Sequence, residues 1–175
     1  EGAIFGARAS FEGADFLRDA GFKDASFGEN TSFGKAIFQN DVRFDGATFR
    51  DHARFNFAIF KRLAIFDNAK FGYIADFSQA EFYGNAWFTA PTWKNQAFDF
   101  QRIRFYRTIF KGKVSFENRA FVTSTSFDYA IFEDLPVFHG CQLHAGISFH
   151  ETEFRKRKGE KNQYDWDTKA PEQAY

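Results

Sequence analysis

The stretch ADFSQAEFYGNAWF, residues 75–88, places phenylalanine at 77, 82 and 88. Intervals of five and then six match neither the 3.6-residue period of a helix face nor the two-residue period of a strand. The same rhythm runs outward in both directions. From Phe5 to Phe88, phenylalanines alternate intervals of six and five without a miss. Trp93 takes the next place, and the rhythm resumes from Phe105 to Phe154 with Leu143 at one position. Counting Phe100 as the remaining site gives 28 sites, 26 of them Phe, and only Phe57 and Phe98 fall outside.

The order of six and five reverses between Trp93 and Phe105. WKNQAFDFQRIRF (93–105) is therefore the irregular point, where a bulge or distorted corner is expected. Two residues before each Phe stands something small. It is Ala in fourteen of the first sixteen units, with Thr31 and Val42 as exceptions; beyond residue 88 it becomes a mixture that includes Pro91, Thr108, Arg119 and Cys141. In an extended segment alternate side chains face the same way, so the small residue and the Phe point inward and the residue between them points out. The remaining two or three residues turn a corner. One such unit cannot bury its Phe alone, whereas stacked units bury a continuous column.

This small-x-Phe unit resembles the pentapeptide-repeat family. Ala14-Asp15-Phe16, Ala75-Asp76-Phe77 and Ala80-Glu81-Phe82 match its pattern most closely, and the resemblance covers residues 3–154. The alternating spacing is similar to a Phe-rich branch of that family. The resemblance implies an all-β chain folded as a right-handed quadrilateral parallel β-helix. With four units per coil of 22 residues, the 28 sites would give about seven coils over residues 1–154. A left-handed hexapeptide helix would require a uniform six. One phenylalanine ladder is expected to run Phe22, Phe44, Phe66, Phe88, Phe110, Phe132, Phe154.

The abundance of Phe, 28 of 175 residues, is thus structural. Lys+Arg and Asp+Glu are both 23, so net charge is zero. The last 21 residues hold six basic and four acidic side chains, which leaves 17 and 19 in the repeats. That balance is too neutral for a nucleic-acid footprint, and nucleic acid is not expected as a partner. A single cysteine, Cys141, excludes an internal disulfide framework and fits a cytoplasmic setting. No apolar run has membrane-spanning length. The chain starts at Glu1 without Met, as an excised segment would, so any membrane association is expected through segments outside this sequence.

Residues 155–175 leave the rhythm. RKRK (155–158) and the Tyr164–Trp166 region are expected to form a charged cap over the open end of the coil, leading into a further segment. An anion-binding role for RKRK is the alternative.

Chemistry is scarce. His139, Cys141, His144 and His150 form the one metal-like cluster, but the coil places Cys141 inward and the histidines on three successive faces. No metal or cofactor is expected. Asp15, Asp76, Glu81 and Asp99 are outward residues on a convex rod, and no phosphate loop or nucleophile elbow appears. An enzyme is not expected.

Outward residues stack as well. In this count the positions preceding one Phe ladder read Gly21, Arg43, Ile65, Trp87, Ile109, Ile131 and Glu153, and Ile37 and Ile59 hold equivalent places on the preceding face. Tyr83 and Tyr106 come near the shared corner. Ile65, Tyr83, Trp87, Tyr106, Ile109 and Ile131 are therefore the candidate partner-binding residues of an apolar stripe. β-branched residues on an exposed strand favour the sheet for its own sake, which is the competing explanation.

The leading expectation is a non-catalytic scaffold that docks a protein partner or its own C-terminal region, with a homodimer as a further option. A soluble sensor or spacer domain of a membrane-anchored protein is the alternative. The family resemblance also raises DNA mimicry toward a topoisomerase, which a near-neutral rod with Arg43, Arg54, Lys70 and Arg104 outward disfavours.

Overall fold

The five-residue intervals are tight corners. After Phe22, Phe44 and Phe66 the N–H of the third following residue donates back to the Phe carbonyl at 3.0–3.1 Å. The residue two after each Phe (Asp24, Gly46, Asn68) has φ of 55°, 69° and 57°. A left-handed residue closed by such a bond defines a type II turn. The same geometry recurs at the opposite corner in a column running Gly13, Lys35, Phe57, Gln79, Arg107, Tyr129, Glu151. Phe57, outside the rhythm, is thus a turn residue, and its ring is 45% exposed. At six-residue corners the Phe carbonyl accepts instead from the coil above, as Phe16 does from Gln39 at 3.0 Å and Phe27 from Arg50 at 3.1 Å.

The computed structural model describes residues 1–91, 102–121, 124–143 and 145–155. Short two- or three-residue strands pair in parallel, each with its counterpart one coil away, and form four faces. The first face holds Ile4–Phe5, Ser26–Phe27, Thr48–Phe49 and Lys70–Phe71, and past the irregular point Ala120–Phe121 and Gln142–Leu143. The second runs from Thr31–Ser32 to Ile147–Ser148. The third is the longest, seven strands from Asp15–Phe16 to Glu153–Phe154. The fourth runs Ala20–Gly21, Val42–Arg43, Ala64–Ile65, Ala86–Trp87, Val114–Ser115. The described residues contain no helix, and the result is a right-handed quadrilateral β-solenoid of about six turns.

Two directions of ring contact fill it. Along the axis the rings stack flat, as in Phe60–Phe82 (4.4 Å, 3°) and Phe55–Phe77 (4.7 Å, 2°). Within a coil they meet edge-on, as in Phe66–Phe77 (5.2 Å, 89°). Both are favoured arrangements of aromatic quadrupoles. From Phe27 to Phe132 these rings are essentially inaccessible, and each contributes about 1.5–3 kcal/mol by burial.

The expected ladder is corrected at the irregular point. Phe88 stacks on Phe116, not on Phe110, which lies on Phe82 instead. The strand partners agree: Glu81 faces Ile109, Ala75 faces Ile103 and Trp87 faces Ser115, each 28 residues on. Elsewhere the partners are 22 apart, as in Ile59↔Glu81 and Ile109↔Ile131. Six residues are therefore surplus to the coil between Trp87 and Arg102. The bulge expected at 93–105 falls largely outside the described residues, as do Phe100 and the cap expected beyond Arg155.

The physical reason lies in the corners. Making Phe100 an ordinary rung would set every later five-residue corner over a six-residue one. Five-residue corners close through left-handed turns that must stack on one another, so the chain leaves out one unit and keeps its phase. The third face accordingly keeps seven strands, which span about six turns.

Candidate functional site

The new register dissolves the single apolar stripe. Ile65 and Trp87 are neighbours on the fourth face, but the column there reads Gly21, Arg43, Ile65, Trp87, Ser115. Ile109 and Ile131 belong to the third face, whose outward column reads Asp15, Ile37, Ile59, Glu81, Ile109, Ile131, Glu153. The six candidates thus form two groups on adjacent faces.

The first group is small. Ile65 and Trp87 are half-buried by packing along the ladder. Tyr83, 48% exposed, stands at the corner between the two faces. The Lys111 ammonium lies 3.6 Å from its ring centroid and 3.3 Å from the Glu81 carboxylate. The contact with Tyr83 and then that with Glu81 hold Lys111 above the usual lysine value. Glu81 and Lys111 form a polar bar across the third face, with Ile37–Ile59 on one side and Ile109–Ile131 on the other.

The second group is larger than the sequence suggested. Ile109 and Ile131 pair directly and are half-buried. Beside them, at the corner between second and third faces, Tyr106 meets Tyr129 at 5.6 Å and Tyr129 meets His150 at 5.5 Å, both edge-on. The Arg107 guanidinium lies 5.2 Å from the Tyr106 ring and 5.5 Å from that of Tyr129. Rings and guanidinium hold each other in an amphipathic ridge with apolar faces and polar tips. The sequence pointed to Tyr106 but not to Tyr129 or His150, although all three follow a core Phe by one or two residues. Only the corner geometry shows that such residues from successive coils touch.

Catalytic and metal chemistry is thin among the described residues. They contain no group of three His, Cys, Asp or Glu side chains placed to hold a metal. His139 follows Phe138 and His150 follows Phe149, whose rings lie on opposite sides of the coil, and His144 is outside the described residues. Cys141 points inward, its Sγ donating to the Phe116 carbonyl at 3.0 Å, and burial pushes its thiol up to about 11. A thiol so held is no nucleophile near neutral pH. No helix of the described residues is long and apolar enough to cross a membrane.

A convex rod with laddered faces and polar corners defines a structural repeat protein. The family model described as pentapeptide repeats (9 copies) matches residues 1–48 and 44–90, and the chain belongs to that family. No curated protein and no solved structure matches the chain.

Proposed function

We propose that the protein is a non-catalytic scaffold that docks a protein partner on the C-terminal half of its third face. The observation that carries this reading is the juxtaposition of the Ile109–Ile131 pair with the Tyr106–Arg107–Tyr129–His150 ridge. Tyrosine and arginine flanking an aliphatic pair is the composition of interface hot spots. Ile65 and Trp87 form a second, smaller apolar patch beyond the Tyr83 corner.

Two variants separate the faces. A pull-down from native lysate would compare the wild type with Ile109→Asp/Ile131→Asp and with Trp87→Asp, each checked for an unchanged β-sheet circular dichroism spectrum. A partner retained by the wild type and Trp87→Asp but lost from Ile109→Asp/Ile131→Asp is the expected result. Equal recovery by all three baits would leave the third face as lattice alone.

A further inference from the structure

The corners between the fourth and first faces repeat one construction. The N–H groups of Ala25, Ala47 and Ala69 donate to the carbonyls of Phe22, Phe44 and Phe66, and each alanine is at most 1% exposed. The next corner should use residue 91 in the same way. Residue 91 is proline, which has no N–H to give, and it is exposed. Pro91 therefore supplies neither the turn donor for the Phe88 carbonyl nor a buried side chain beneath the following coil.

Arg119 is the equivalent residue one coil on. Its own N–H donates to the Phe116 carbonyl at 3.1 Å, like the alanines, yet its long side chain is only 2% exposed. The chain of contacts runs downward. Nε donates to the Phe88 carbonyl at 2.6 Å, one Nη to the Phe66 carbonyl at 2.9 Å and the other to the Ala69 carbonyl at 3.2 Å. Beside it the Asn118 amide donates to the Ala90 carbonyl at 3.3 Å. A buried guanidinium is costly unless its donors are satisfied, and carbonyl oxygens with spare lone pairs satisfy these.

We propose that Pro91, the six surplus residues and Arg119 are one device: the chain leaves the coil at Pro91, and Arg119 reaches down to close the corner left open. Arg119 is a positioning residue. It holds the coils above in phase with those below, and so places Ile109 and Ile131 in the column of Ile59 and Glu81. Only that last consequence touches the docking reading above; the coupling stands without it.

The test is a comparison of four chains by thermal unfolding. They are the wild type, Arg119→Ala, a repaired chain (Pro91→Ala with residues 94–99 deleted, which restores the six-residue interval from Trp93 to Phe105), and the repaired chain with Arg119→Ala. In the native background Arg119→Ala is expected to lower Tm by about 10 °C or more. In the repaired background the same change is expected to leave Tm unchanged or raise it, because Arg119 would then press on a filled position. If Arg119→Ala does not fold in the native background, Arg119→Lys, which lacks the planar fork, replaces it in both. An equal loss in both backgrounds overturns the proposal, because a side chain that merely packs would show no dependence on Pro91 and the surplus residues. No loss in the native background overturns it too.

Discussion

The coils before Pro91 and those after Arg102 share one architecture but differ inside. The earlier interior is almost wholly Ala and Phe, with Thr31 donating to the Gly28 carbonyl as an exception, and backbone N–H groups close its five-residue corners. The later interior admits polar side chains, four of which bond to a Phe carbonyl of the coil below. Thr108 donates to Phe77 at 2.8 Å, Thr152 to Phe127 at 2.8 Å, Cys141 to Phe116 and Arg119 to Phe88. The first three of these carbonyls already accept a turn bond, from the N–H groups of Ala80, Ala130 and Arg119 respectively, and the side chain uses the second lone pair. The difference teaches that the small inward position selects for size and for a donor, not for alanine as such. The family match ends at residue 90, just before the corner at Pro91 where a side chain takes the place of the backbone donor.

The largest effect that would break this comparison is in the shared Phe core. Phe66→Ala, in the middle of the regular coils, is expected to cost about 3–5 kcal/mol by denaturant unfolding. Phe154→Ala, at a ring 48% exposed, is expected to cost well under half as much. Equal costs would mean that the two ends of the rod are packed alike.

A smaller effect sharpens the contrast between the interiors. Thr108→Val keeps the shape and removes the donor to the Phe77 carbonyl, for a loss of about 1 kcal/mol. That loss is measurable as a shift in denaturant midpoint at constant m-value. No shift would show that the hydroxyl is tolerated rather than used.

The smallest effect concerns pH. Burial raises the Cys141 thiol from its ordinary value near 9 to about 11. A raised acid keeps its proton in the folded chain while the unfolded chain loses it. The contribution is therefore constant below about pH 9 and is lost as pH rises from about 9 toward 11. Cys141→Ala should flatten that part of the stability profile, and iodoacetamide at pH 9 should label the native thiol far more slowly than the unfolded one.

Much of the fold was legible because its signal is repeated so often. A five-six alternation carried by Phe and Ala fixes the repeat and its inward columns, and the resemblance of that repeat to pentapeptide repeats implied the four sides and the parallel stack. The irregular point was legible too, as a reversal of phase. Its resolution was not, because Phe100 stands five residues before Phe105 and so passes for a rung in a count of spacing. Ile65, Trp87, Ile109 and Ile131 were joined into one stripe by that count alone, and Tyr129 and His150 were passed over.

By itself, then, the sequence determined the repeat and the identity of the core, which follow from local periodicity, and pointed to the coil through the family those repeats resemble. The tertiary structure decided that six residues between Trp87 and Arg102 are surplus to the coil, which face carries Ile109 and Ile131, and why an arginine is buried at Arg119. Those depend on five-residue corners having to lie over five-residue corners and on carbonyls of two successive coils sharing one guanidinium. Neither is a property of any single unit.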